Sequence, residues 1–382
     1  MTNPTAGQVH QDEIDAYRAA HVPLYNRDQR LKLGLFGTNV SNGLTMTSAP
    51  TTFRPTWDQN LAIAKEADRL GFEMMVPVAR WRGFGGATNF NGDCLESYTW
   101  AAGLAQATER IMVFATTHVP TIHPIVAAKM ATTIDHIAGG RFGLNAVMGW
   151  FTPEMEMFGA EQRQHDDRYA FGDEWVSVVK RLWTEHEPFD HSGNYLTIKQ
   201  AQAEPKPVQR PGPVLVNAGN SPAGLHFSAK HVDFNFATVD TLENGAAYAA
   251  KVRELAATEY QRQIGILTYA FVICRDTEVE AQAVRDRILE AGDWEGANNL
   301  MSVLGLQSQS FGTQLRQFQE RFVLGYGGYP IIGTPEQVAD ELAGLSKAGM
   351  DGVILGFLDY EHELAQFGAQ VMPLLVQAGL RT

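Results

Sequence analysis

Cysteine is scarce: Cys94 and Cys274 are the only two in 382 residues. Two thiols cannot build a disulfide framework or a cysteine-rich zinc site. Their scarcity predicts a reducing, cytoplasmic setting. Long apolar runs are also missing. No stretch reaches the 18 or so residues that a membrane-spanning helix needs, and residues 1–30 lack the apolar centre of a secretion signal. Basic runs are short. Thirty Lys and Arg face 43 Asp and Glu, for a net charge of −13, and no run of basic residues exceeds two. Nucleic acid and anionic membranes are therefore not expected partners.

Several sites are absent by motif. Gly83-Phe84-Gly85-Gly86 and Gly325-Tyr326-Gly327-Gly328 lack the dinucleotide-binding spacing and read as turns. No phosphate-binding P-loop occurs. Gly219-Asn220-Ser221-Pro222-Ala223 lacks the second glycine of a nucleophile elbow. The histidines show no paired metal spacing, so no metal site is expected.

What is present is a regular alternation. Short apolar runs occur at Leu31–Gly37, Phe72–Ala79, Ile111–Thr117, Phe142–Met148, Val214–Ala218, Phe234–Val239, Ile264–Cys274 and Gly352–Phe357. Runs with so little polar alternation suit parallel strands buried on both faces. Helical periods lie between them: Phe171, Trp175, Val178, Val179 and Leu182 form one apolar face, and Val126, Met130, Ile134 and Ile137 another. Thr334-Pro335-Glu336-Gln337 reads as a capping box. Eight strands alternating with helices predict an α/β fold, a (β/α)8 TIM barrel over 31–382, with a doubly wound sheet as the alternative. Residues 1–30 show no sustained period and read as an N-terminal arm suited to a neighbouring subunit. Four stretches read as insertions: 38–56, 150–166, 187–213 and 292–329. The third carries five prolines and predicts a hairpin around Ser192-Gly193-Asn194.

Polar residues cluster at predicted strand ends: Arg80 and Arg82 after the second, Thr116, Thr117 and His118 at the third, Asn145 in the fourth. Each alone fits a satisfied core position; together at one face of a barrel they favour a site. Ser221 fits an ordinary helix N-cap, or a phosphate held at a helix N-terminus.

The run Thr133-Ile134-Asp135-His136-Ile137-Ala138-Gly139-Gly140-Arg141-Phe142-Gly143-Leu144-Asn145 resembles the signature of the bacterial luciferase-like, flavin-dependent monooxygenases. Further matches are Arg82-Gly83-Phe84-Gly85-Gly86, Glu96-Ser97, Gly149-Trp150, Arg168-Tyr169 and Ala218-Gly219-x-Ser221. The likeness is greatest to the branch that oxidises pyrimidines, with sulfone and alkanesulfonate oxidisers as further relatives. It implies a luciferase-like barrel that uses reduced FMN and dioxygen, through a flavin peroxide, to oxidise or cleave a small nitrogen heterocycle or amide. The alternatives are a sulfone or sulfonate substrate, a larger aromatic heterocycle such as a flavin, and a non-catalytic flavin-binding protein. It also implies a separate NAD(P)H-dependent flavin reductase as partner, and a homodimer or homotetramer.

The resemblance assigns roles by position. Ser221, Arg168 and Tyr169 match residues that hold the FMN phosphate, and Ala79 and Arg80 a pair beneath the flavin ring. Asn145 and Glu154 match polar positions beside the ring and the substrate. Thr116 matches a threonine that places dioxygen together with Asn145. Trp150, Met148, Arg80 and Glu154 are expected on the substrate side, and His118, a titratable group near the mouth, is a candidate catalytic residue with Thr116 and Asn145 that could move a proton near neutral pH. Arg80 stands where the pyrimidine branch has lysine, and Met148 where it has threonine, which implies a pocket different from a uracil site, larger and more aromatic.

Overall fold

The computed structural model describes residues 6–305 and 312–382, with side chains from residues 12–305 and 316–382. Eight parallel strands form its centre: Lys32–Phe36 (β1), Met74–Val76 (β2), Met112–His118 (β3), Phe142–Val147 (β4), Val214–Asn217 (β5), Phe234–Ala237 (β6), Gly265–Cys274 (β7) and Gly352–Gly356 (β8). They pair in the order β1 to β8. β8 pairs back to β1, and β6, β7 and β8 are joined in turn, so the sheet closes into a barrel. All eight runs anticipated from apolar composition are strands of this ring. Burial on both faces is what removed polar alternation from them.

A ninth strand was not anticipated. β6 pairs with β7 only as far as Thr268, and Tyr329–Gly333 takes over that edge from Ala270 to Cys274. It gives the longest barrel strand a second partner beyond the point where β6 turns away.

Inside the barrel, alternate residues such as Phe36, Met74, Met112, Phe114, Val216, Phe236, Tyr269 and Phe271 share one apolar cluster. A second cluster fills the layer between strands and outer helices. The helix His165–Thr184 buries Phe171, Trp175, Val178, Val179 and Leu182 as its period predicts. The helix Pro124–Ile137 does not. Val126 and Ile137 are exposed, and the buried stripe is Ala127, Ala128, Ala131, Thr132, Ile134 and Asp135. Small side chains let this helix lie close to the barrel; of the anticipated stripe Ile134 is buried and Met130 packs against the core, while Val126 and Ile137 point outward. The capping box at Thr334 is present, and the predicted hairpin forms from Phe189–Ser192 and Thr197–Ala201.

In the N-terminal arm Ala6–His21 is a helix that the lack of a sustained period did not reveal, and it makes contacts with the barrel of its own chain. Arg18 forms an ion pair with buried Asp233 at 2.6 Å, and the Tyr17 hydroxyl donates to the Val208 carbonyl. Within the stretch 292–329 lie the helices Trp294–Val303 and Gly312–Gly325. The stretch after β4 contains the short helix Thr152–Met157. Among the described residues, no helix is long and apolar enough to cross a membrane.

Candidate active site

The C-terminal end of a parallel barrel is where loops converge after each strand. The polar residues singled out in the sequence sit there, and their first anchor is Asn39, just beyond β1. Its side-chain amide donates to the Val78 carbonyl and accepts from the Val78 N–H, at 2.8 and 2.9 Å. This double bond to one residue fixes the chain as it leaves β2 toward Arg80. The sequence marked only the long stretch that contains Asn39, not the residue.

Arg80 is buried, and its charge is met by Glu154, which lies 74 residues away in the short helix after β4. The two approach to 3.0 Å with side chains 4% and 0% exposed. The other Glu154 oxygen accepts from the backbone N–H of Trp81 at 2.6 Å and of Arg82 at 3.3 Å. Glu154 is thus occupied by protein on both oxygens. It fastens the turn after β2 to the helix after β4. Arg82 itself is exposed.

Aromatic rings surround the pair. The Arg80 guanidinium lies 4.9 Å from the Phe84 ring centre, 5.2 Å from Trp150 and 5.6 Å from Phe151. Such contacts stabilise a desolvated cation. Phe84 and Trp150 are nearly parallel, 6.1 Å apart. His118 Nε2 lies 3.8 Å from the same Glu154 oxygen that meets Arg80. Burial and the neighbouring Arg80 charge lower the His118 pKa to about 3, so the ring is neutral at physiological pH.

At the ends of β3 and β4 a second group forms. The strand register sets Thr116 opposite Asn145. The Thr116 hydroxyl donates to the Pro77 carbonyl at 2.7 Å, and the Asn145 amide donates to the Thr116 oxygen at 3.2 Å. Three buried atoms around these groups have no protein partner: Asn145 Oδ1, His118 Nδ1 and Arg80 Nε. Buried polar atoms without partners are costly, and their clustering here points to a ligand. Thr117 faces the other way, toward Tyr98 in the helix layer.

A third group lies at the start of the helix Pro222–His231. Ser221 caps that helix by accepting from the Gly224 N–H at 3.1 Å. The Tyr169 hydroxyl lies beside this cap, close to Gly219 and Gly224. A Cβ on Gly219 would come within 2.5 Å of the Tyr169 hydroxyl and 2.7 Å of Asn217 Oδ1, so only glycine leaves this cradle open. Arg168, on the same helix as Tyr169, donates to the Gly149 carbonyl at 3.1 Å and keeps a buried Nε without a partner. A helix N-terminus with a hydroxyl, a phenol and a guanidinium suits a phosphate.

Two expected positions contribute differently. Ala79 is half-buried and brings no polar side chain. Met148 turns to the helix layer, where its sulfur would lie 2.4 Å from a Cβ on Gly172, beside Phe227. It is therefore not grouped with the rings around Arg80. Among the described residues, no three His, Cys, Asp or Glu side chains are placed to hold a metal ion.

A closed parallel barrel with a buried polar cluster and an anion cradle at its C-terminal end is the architecture of a small-molecule enzyme. The sequence profile of the luciferase-like monooxygenases matches residues 32–352. The pyrimidine monooxygenase RutA of Enterobacter cloacae subsp. cloacae is 34% identical over 355 residues, 90% of this chain and 96% of that protein. The FMNH2-dependent dimethylsulfone monooxygenase of Pseudomonas putida is 32% identical over 356 residues, covering 91% and 96%. Among solved structures, a riboflavin lyase, RcaE, with modified FMN and riboflavin superposes with a TM-score of 0.82 at 21% identity, covering 93% of each chain. The long-chain alkane monooxygenase LadA gives 0.83 at 19% identity, again over 93% of each. The chain belongs to the luciferase-like monooxygenase family, and by class it is a flavin-dependent monooxygenase.

Proposed function

We propose that this enzyme binds reduced FMN and uses dioxygen to oxidise a small, uncharged, planar substrate of the nitrogen heterocycle or amide class. The observation that carries the reading is the set of unpartnered buried atoms, Asn145 Oδ1, His118 Nδ1 and Arg80 Nε, beside the rings of Phe84, Trp150 and Phe151. Arg80 and Glu154 cancel in charge, and His118 is neutral. An anion or a cation entering such a place is left uncompensated. A molecule that pairs an N–H with a C=O finds the acceptor in Asn145 and the donor in Arg80.

The residues fit the cofactor. Ser221, Tyr169, Arg168 and the open Gly219 cradle would hold its phosphate, and Asn145 and Thr116 would flank its reactive edge. Bound there in reduced form, FMN supplies the electrons that activate dioxygen. The chain's part is placement and exclusion of water, through the aromatic walls and the loops after β2 and β4. The reading includes delivery of reduced flavin by a separate NAD(P)H-dependent reductase, in the cytoplasm, to a homo-oligomer.

A sulfone substrate is the second reading, since the 32% identical relative acts on dimethylsulfone and the Arg80 donor suits sulfone oxygens. A sulfone has no N–H for Asn145. The test is oxygen uptake with a generic flavin reductase, supplying uracil, thymine, dimethylsulfone or riboflavin, with product analysis under labelled dioxygen. Label incorporation into a pyrimidine supports the first reading; incorporation into the sulfone alone supports the second. Asn145→Ala is expected to keep FMN binding and lose product. Full activity in that variant refutes the placement of Asn145 at the reacting edge.

A further inference from the structure

Gly149-Trp150 and Arg168-Tyr169, two of the motifs that resemble the family signature, meet in one hydrogen bond. Arg168 Nη1 donates to the carbonyl of Gly149, 19 residues earlier, at 3.1 Å. Gly149 is the root of the stretch that carries Trp150, Phe151 and Glu154. Its φ is +69°, and a Cβ there would lie 2.8 Å from Met155 Sδ and 3.0 Å from Pro120. Met155 is buried in the short helix Thr152–Met157, directly after Glu154. The Gly149 peptide and that helix are thus packed as one piece, and the direction of the Gly149 carbonyl sets where the piece sits. Gln162 reaches the same oxygen only at 3.4 Å.

The other side of Arg168 concerns the phosphate cradle. β4 and β5 are neighbours, and the Asn217 side chain joins their ends. It donates to the Ala146 carbonyl at 2.6 Å and accepts from the Gly219 N–H at 2.8 Å. The root of the loop and the cradle therefore lie side by side. Tyr169, next to Arg168 in the first turns of the helix His165–Thr184, reaches the cradle with its hydroxyl. A guanidinium is a planar fork with fixed donor directions. While Nη1 is spent on Gly149, the edge formed by Nε–H and Nη2 is the one that takes an oxyanion through paired bonds. Nε is buried and has no partner. Burying a charged donor unpaired is costly, and an anion on that edge removes the cost.

We infer that Arg168 is a positioning residue that links cofactor to substrate wall: an oxyanion on its Nε edge fixes the guanidinium, and through Nη1 the Gly149 carbonyl, so that Trp150, Phe151 and Glu154 are seated only once a phosphorylated flavin is bound. A lysine in its place meets the phosphate as a point charge and cannot hold two partners in a fixed relation. An order of binding follows, in which the substrate meets a complete wall only after the flavin has arrived. The inference rests on the proposed function for the place of the phosphate.

The test is hydrogen–deuterium exchange, read by mass spectrometry on peptides spanning 148–158, in wild type and Arg168→Lys. Each protein is measured without flavin and with FMN at saturation, set for each by quenching of flavin fluorescence. FMN is expected to slow exchange about fivefold or more in the wild type and to leave it nearly unchanged in Arg168→Lys. A bond from Arg168 that only props the loop would speed exchange in the variant equally with and without FMN; equal protection by FMN in both proteins therefore overturns the inference. A second arm needs the wild type alone and stays decisive if the variant does not bind. Riboflavin, which has the ring without the phosphate, is supplied at ring occupancy matched by quenching and is expected to leave the loop unprotected. Protection equal to that by FMN overturns the link. If the wild type does not bind FMN, the proposed function fails; if it binds FMN and the peptides do not respond, the link alone fails.

Discussion

Removing either member of the Arg80–Glu154 pair leaves a buried charge with no counter-charge. With side chains 4% and 0% exposed, the expected cost is about 3–5 kcal/mol for Arg80→Met or Glu154→Gln taken singly. The double variant removes both charges, and the amide that replaces the Glu154 carboxylate keeps an oxygen for the N–H groups of Trp81 and Arg82. Its cost is expected to fall well short of the sum, with a coupling of about 2–3 kcal/mol. For 382 residues at about 2.1 cal/mol/K per residue, each kcal/mol moves Tm by about 1.2 °C. The singles should therefore melt about 4–6 °C below the wild type, and the double variant about 2–4 °C above the value that adding the two single losses gives. Thermal unfolding followed by near-ultraviolet circular dichroism at neutral pH measures all four proteins. If the two single losses add to the double loss within about 0.5 kcal/mol, the pair is not coupled and the account of Glu154 as a clamp is wrong.

Two further outcomes are expected. His118 resists protonation until about pH 3 when folded, whereas the unfolded chain takes up that proton near 6.5. Its contribution to stability is present above 6.5 and lost as pH falls toward 3, so His118→Gln should lose less stability than the wild type over that window; equal acid slopes in urea titrations would contradict a buried neutral ring. Gly219→Ala places a methyl 2.5 Å from the Tyr169 hydroxyl and should weaken FMN binding by roughly tenfold or more. Unchanged affinity by equilibrium dialysis would remove the phosphate from this cradle.

The barrel was legible because its strands are buried on both faces and so carry continuous apolar runs. What escaped were elements whose burial is partial or lent by distant partners. Tyr329–Gly333 is short, begins Tyr-Pro, and owes its pairing to a free edge of β7 that only the closed sheet creates. The helix Ala6–His21 is polar along much of its length and is held by Tyr17 and Arg18, contacts that no period reveals. In Pro124–Ile137 the larger side chains misled, because alanines make the tighter contact with the barrel. At the site, Thr116, Asn145, His118 and Arg80 were visible as polar residues at strand ends. The pairing of Arg80 with Glu154 across 74 residues and the brace from Asn39 were not, since each depends on which loops the barrel brings together.

The Pro77 carbonyl oxygen, at the end of β2, can only accept, and proline has no N–H to offer beside it. Thr116 must then donate to it, and Asn145 must donate to Thr116, which leaves Oδ1 as the outward atom of the amide. One oxygen without a proton thus sets the polarity of the whole chain of bonds, and an Asn side chain that could point either way has a single orientation. A ligand whose two edges differ in donors and acceptors will meet this wall in one sense only. The mouth of the barrel is in that respect a reader of direction as well as of shape.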